Sequence, residues 1–184
     1  VVDDLDARFD PAIAGSRLVV QTNWRAPRGR ILEIDLARPG REHWREIVPE
    51  SRWPLQDVSL VNGRICARYL EDVRPVVHVL DERGRLERIV EAPGPGSMSN
   101  VYGSWAGGAA FLTFSSWSEP LTIESIDVAS GRRADWWRSS VPFPRDRFVV
   151  EQVWFTSTDG ARVPMFLGHA KGAKPSGAPT LMTG

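Results

Sequence analysis

Three residues stand in the chain order of a nucleophilic hydrolase: Ser104 within Gly103-Ser104-Trp105-Ala106-Gly107, then Asp127, then His169. Such a trio could carry acyl transfer, with the imidazole taking the hydroxyl proton and the carboxylate orienting the imidazole. The pattern falls short at the serine. An exposed nucleophile elbow is Gly-x-Ser-x-Gly on a strand-to-helix turn. Here the serine follows glycine directly and no helical period comes after it. His43 and His78 are the other two histidines, and no His/Glu spacing of a catalytic metal site occurs. Cys66 is the single cysteine, so neither an internal disulfide nor a zinc quartet is expected. Its surroundings, Arg64-Ile65-Cys66-Ala67-Arg68-Tyr69, predict a strand with a buried, inert thiol.

Charge excludes some partners. The formal net charge is zero, which gives no footprint for nucleic acid. Lys171 and Lys174 are the only lysines; every other cation is arginine. Guanidinium groups could read phosphates or carboxylates, but the acids balance them, and the bias reads as compositional. No apolar run approaches the ~18 residues of a membrane-spanning helix, so no membrane partner is expected. No signal peptide is visible.

The elements that would hold these residues are strands. Short runs rich in β-branched and aromatic residues alternate with Gly and Pro turns from Phe9 to Trp137, which predicts an all-β fold. Three landmarks recur with one period of about 46 residues. Glycine turns precede apolar runs at Gly15, Gly63 and Gly108. Prolines precede the next run at Pro27, Pro75 and Pro120. Aspartates close that run at Asp35, Asp81 and Asp127. Four short strands per unit at this period are the mark of β-propeller blades. The expected strands are 7–13, 17–23, 30–36 and 44–49, then 55–61, 64–70, 76–81 and 86–91, then 100–105, 109–115, 121–127 and 134–138.

The remaining candidates have plain readings. The repeated aspartates read as turn caps rather than metal ligands or acids, since each sits at a strand end just before a turn. Residues 92–99, Ala92-Pro93-Gly94-Pro95-Gly96-Ser97-Met98-Ser99, lack the Lys-Ser/Thr ending of a phosphate loop and read as an inter-blade connection. Trp136-Trp137 and the other tryptophans are expected to fill space between blades rather than to form a ligand platform. Three blades are fewer than the four to eight of a closed propeller. With the abrupt start at Val1-Val2, this leads to the expectation of an internal segment of a longer polypeptide.

The repeat stops before two apolar runs, 148–157 and 161–170, that flank Asp159-Gly160. That pattern predicts a β-hairpin, because glycine supplies the positive φ of a tight turn. Its words, Glu151-Gln152-Val153, Thr158-Asp159-Gly160, Val163-Pro164-Met165-Phe166, His169 and Lys171-Gly172, resemble the prolyl oligopeptidase family of serine peptidases. Upstream words are similar to the late propeller of that family: Thr22-Asn23, Ala26-Pro27-Arg28-Gly29-Arg30, Trp44-Arg45-Glu46-Ile47-Val48-Pro49-Glu50, and Phe114-Ser115-Ser116 with Pro120 and Ile126-Asp127.

The resemblance implies blades over 1–143, then the first strands of an α/β-hydrolase domain over 144–184. It implies a serine-type endopeptidase that cleaves short peptides after proline, with the propeller as a lid that limits substrate size. It places the nucleophile, acid and base beyond Gly184 and makes His169 non-catalytic. No catalytic, cofactor-binding or metal residue is therefore expected in this chain, and none of its residues maps onto the proline pocket. No cofactor is implied, the substrates are small proline-containing peptides, and the setting is cytoplasmic. An oxyanion word like Tyr-Gly-Gly-Phe would follow Gly184, although Met182-Thr183 departs from the Leu/Tyr usual there. Two rivals stand beside this reading: a non-catalytic propeller that binds ligands, and a sister oligopeptidase specific for basic residues.

Overall fold

Alternation decides which face each strand buries. In Ile65-Cys66-Ala67, Ile65 and Ala67 turn to one side and Cys66 to the other, and all three are buried. A strand sandwiched on both faces reads as a continuous apolar run, and this one lies at the centre of the molecule. The computed structural model describes residues 4–142, 144–173 and 177–183. Val1, Val2, Phe143, Lys174 and Gly184, which entered the reading of the termini, the domain boundary and the lysines, lie outside the described residues.

Three four-stranded antiparallel sheets follow one another, each with its strands in sequence order. The first blade comprises β1 (Phe9–Ala14), β2 (Arg17–Thr22), β3 (Arg30–Asp35) and β4 (Arg45–Val48). The second comprises β5 (Leu55–Val61), β6 (Arg64–Glu71), β7 (Arg74–Leu80) and β8 (Leu86–Glu91). The third comprises β9 (Ser97–Met98), β10 (Phe111–Ser115), β11 (Thr122–Ile126) and β12 (Arg133–Arg138). Residues 55–137 hold no helix; the described residues show only the 3₁₀ turns Arg41–His43 and Arg145–Arg147.

Two apolar layers join the blades. Ala14, Val19, Ile31 and Val48 of blade one pack on Leu60, Ile65, Tyr69 and Leu80 of blade two. The other face of blade two, with Val61, Cys66, Val77 and Val79, packs on Met98, Leu112, Phe114 and Ile126 of blade three. Buried amides pin the layers. Gln21 donates through Nε2 to the carbonyls of Leu55 and Gln56, both at 3.2 Å. Asn100 donates through Nδ2 to Asp57 Oδ1 at 2.6 Å and to the Cys66 carbonyl at 3.0 Å. Unpaired, such buried groups would each cost ~1–3 kcal/mol.

The expected strand at 100–105 is a correction. The regular pairing of β9 is confined to Ser97 and Met98, and Tyr102 rejoins β10 by a single bridge to Phe111. Met98 faces Phe114, so Ser99, Asn100 and Val101 on one side lie opposite Leu112 and Thr113 on the other. The extra residue arises where Asn100 turns inward to blade two and its Oδ1 accepts the Val101 amide. Residues 103–108 then form a loop rather than a strand.

The predicted hairpin is present. β13 (Phe148–Thr156) pairs antiparallel with β14 (Arg162–Ala170) as a separate two-stranded sheet. Gly160 has φ 84°, and Asp159 Oδ1 accepts the Ala161 amide at 3.0 Å.

Candidate functional site

Antiparallel order sorts the turns of each blade onto two faces. The turn between the second and third strands shares a face with the connection to the next blade. The other two turns lie opposite. The hairpin sits on the first of these faces, against the β6–β7 turn of blade two and the β10–β11 connection of blade three.

Its seat is built from few groups. Val150 and Gln152 share a side of β13, because they are two residues apart. Gln152 Nε2 donates to the Asp72 carbonyl at 2.7 Å, and Arg74 Nε donates to Gln152 Oε1 at 2.7 Å. Beside this clasp, the Trp117 ring meets Phe166 edge-on, with centroids 5.8 Å apart and planes at 80°. Gly168 also faces Trp117, where an added Cβ would come within ordinary contact distance of the indole, at 3.7 Å. A groove of about 370 Å³ remains between hairpin and blades, lined by Val73, Pro95, Ser116, Trp117, Val150 and Phe166. It is apolar with a serine edge, and nothing in it is arranged to move a proton.

The trio Ser104, Asp127 and His169 is not brought together. Ser104 lies beside the β5–β6 turn, where its carbonyl accepts the Asn62 amide at 2.8 Å. Asp127 closes β11 at the turn into β12. Both are on the face opposite the hairpin that carries His169. Ser104 Oγ accepts the Ala106 amide at 3.3 Å within its own turn, with no helix after it. His169 Nδ1 donates to the Ala170 carbonyl at 3.0 Å, and Nε2 faces Glu151 Oε1 at 3.3 Å. That carbonyl first, then the carboxylate, raise its pKa above the ordinary histidine value. His78 sits 3.0 Å from Glu71 and leans on the Tyr69 ring. His43 is on the exposed 3₁₀ turn beside Glu42.

The three repeated aspartates are caps. Oδ1 of Asp35, Asp81 and Asp127 accepts the amide two residues on, from Ala37, Arg83 and Ala129, each at 2.9 Å. Donated backbone hydrogen bonds hold all three carboxyls below the usual range. Among the described residues no group of three His, Cys, Asp or Glu side chains is placed to hold a metal. Cys66 is fully buried, and burial pushes its thiol up to about 12.

The tryptophans divide. Trp53 and Trp105 pack on the layer between blades one and two, while Trp24 and Trp44 cover the outer face of blade one, edge to face. Trp136 and Trp137 lie on the third blade, away from the layer it shares with blade two. β12 is the last strand of its sheet, and a register shift between Ile123 and Glu124 makes Trp136 the extra residue of a bulge. Trp136 thereby meets the Phe111 ring at 5.1 Å, on the face of blade three turned away from blade two.

Trp117 and Val73 were missed by the sequence reading, and Gln152 entered it only as part of a family word. The legible signal was parity: a glutamine on the same side of a strand as Val150.

Comparisons with known proteins agree on one family. The family model described as prolyl oligopeptidase, N-terminal beta-propeller domain, matches residues 1–138. The prolyl endopeptidase of Elizabethkingia meningoseptica is 30% identical over 169 residues, covering 91% of this chain and 24% of that protein. A solved structure from a study of two prolyl endopeptidases superposes with a TM-score of 0.86 at 36% identity, over 94% of this chain and 26% of its own. Prolyl oligopeptidase B from Galerina marginata, bound to a 35mer hydrolysis and macrocyclization substrate, gives 0.80 at 26% identity, over 94% and 25%. The chain thus spans about a quarter of the length of the relatives it matches.

Proposed function

The chain belongs to the prolyl oligopeptidase family through its N-terminal propeller region, and on that premise we propose that it is part of a serine-type endopeptidase that cleaves short peptides after proline. Residues 1–143 supply blades of the propeller, and residues 144–184 begin the α/β-hydrolase domain. The blades act as a lid: a rigid wall of sheets in front of the reacting groups admits slender peptides and turns away folded proteins. The acyl transfer itself, by an activated serine, a histidine base and an oxyanion hole, belongs to residues outside this chain.

The observation that carries this reading is the hairpin seated on one face of the blades through Gln152 and Trp117. A propeller has no need of a separate two-stranded sheet on one face; a polypeptide passing from the propeller into a second domain does. The separation of Ser104 and Asp127 from His169 agrees with a chain that positions substrate rather than attacking it.

Two assays test it: turnover of a proline-containing fluorogenic peptide and mass labelling by a covalent serine reagent. The longer protein is expected to cleave after proline, to lose that activity on labelling, and to carry the label outside residues 1–184. A labelled serine within residues 1–184, or peptide binding without turnover, would overturn the reading.

A further inference from the structure

Blade two contains two hairpins of the same backbone geometry and opposite sequence logic. Between β5 and β6 the turn residues are Asn62 and Gly63, with φ 51° and 72°. Between β6 and β7 they are Asp72 and Val73, with φ 47° and 63°. A two-residue turn with both φ positive is the one that Asn-Gly suits. Valine suits it badly: its branched Cβ crowds the backbone in the left-handed region, so a β-branched residue there is a genuine outlier. Burial does not account for the choice, since Val73 is 38% exposed.

The difference between the two turns is what rests on them. The Asp72-Val73 turn carries the hairpin. Asp72 offers its carbonyl to Gln152, Arg74 closes the clasp from the other side, and the Val73 side chain lines the groove shared with Val150 and Phe166. Cross-strand pairing of Glu71 with Arg74 forces the tight closure and with it the positive φ values. Strain of this kind persists only where surrounding contacts hold it.

We infer that the Asp72-Val73 turn is a strained latch that couples the conformation of blade two to the seating of the β13–β14 hairpin. Seated, the hairpin holds the turn closed. When it lifts, the Gln152 bond is lost, the Glu71–Arg74 pair opens, and Val73 relaxes to negative φ. The strain therefore acts only on the seated state and lowers its population, so the attachment is weaker than its contacts alone would make it.

The test compares backbone amide exchange in β13 and β14 with exchange in β6, using the intact protein that carries these residues. Val73→Ala and Val73→Gly both lose the valine contacts, and only glycine removes the strain. The glycine variant should protect the hairpin amides more than the alanine variant by roughly 5- to 100-fold, the factor to which left-handed strain converts. Core amides of β6 should differ between the two far less. Gln152→Ala should speed hairpin exchange and shrink the glycine–alanine difference. Equal hairpin exchange in the two Val73 variants would overturn the latch, as would a shift of equal size in β6. Unchanged hairpin exchange in Gln152→Ala would overturn it too. None of these readouts depends on peptidase activity.

Discussion

Blade two and the hairpin are both antiparallel sheets, yet different forces hold them in place. Blade two is buried on both faces: Val61, Ile65, Cys66, Val77 and Val79 are wholly inaccessible to solvent. Not one described residue of the hairpin is fully buried. Among the described residues, its attachment includes the Gln152–Arg74 clasp on the Asp72 carbonyl and the edge-on pair of Trp117 and Phe166. A sheet held by apolar layers resists local opening, whereas one held by a few polar contacts opens at low free energy. The contrast is between a sheet buried on two faces and one seated along a single face of the blades.

The sharpest way to break that contrast is Ile65→Ala. Emptying a fully buried site in the layer between blades one and two should cost about 2–5 kcal/mol, read as a lower denaturant midpoint for the blades. Val150→Ala on the hairpin should cost less than about 1 kcal/mol by the same measure, because its site is half open. Equal losses would dissolve the distinction.

Asn100→Ala probes the polar pin between blades two and three. It leaves the Cys66 carbonyl and Asp57 Oδ1 without their donor, an expected cost of about 1–3 kcal/mol. Asn100→Asp should not rescue it, since an ionised carboxylate cannot donate to either acceptor. A midpoint within error of the parent would show that water replaces the amide.

Gly160→Val acts at the hairpin tip, where the added side chain meets open space but the backbone has φ 84°. Strain of roughly 1–3 kcal/mol should appear as faster amide exchange in β13 and β14, with β5–β8 unaffected. Exchange that rose equally in blade two would mean that the regions unfold together.

The smallest effect is titration. Asp35, Asp81 and Asp127 have lowered pKa values, so their contribution is present above the usual 3.8 and is lost as pH falls through the lower folded values. His169 is raised, so its contribution is complete below 6.5 and is lost as pH rises through its folded value. Asp159 in the same hairpin is lowered and follows the acid branch. Mild alkalinisation should therefore loosen the hairpin alone, and strong acid should loosen both regions. Hairpin amides whose protection does not change between pH 6 and pH 8, after correction for intrinsic exchange, would remove His169 from this account.

The sequence alone determined the blades and the hairpin. Alternation of apolar residues, a glycine or proline at every reversal within the blades except Asp72-Val73, and an aspartate at each third-strand end are local requirements, written in the residues that meet them. Hence the strands of blades one and two, the Asp159-Gly160 turn and the capping role of Asp35, Asp81 and Asp127 were legible before any coordinates. Three features were decided only by tertiary structure. Residues 100–105 left the strand pattern because Asn100 found acceptors on blade two. Trp136 joined the Phe111 face of blade three because a bulge on the last strand reversed its parity. The clasp of Gln152 on the Asp72-Val73 turn joins residues about eighty positions apart. Periodicity reports which face a residue takes within its own strand, but not which distant turn will lie opposite that face, and a valine at φ 63° contradicts the local preference that a sequence reading must rely on.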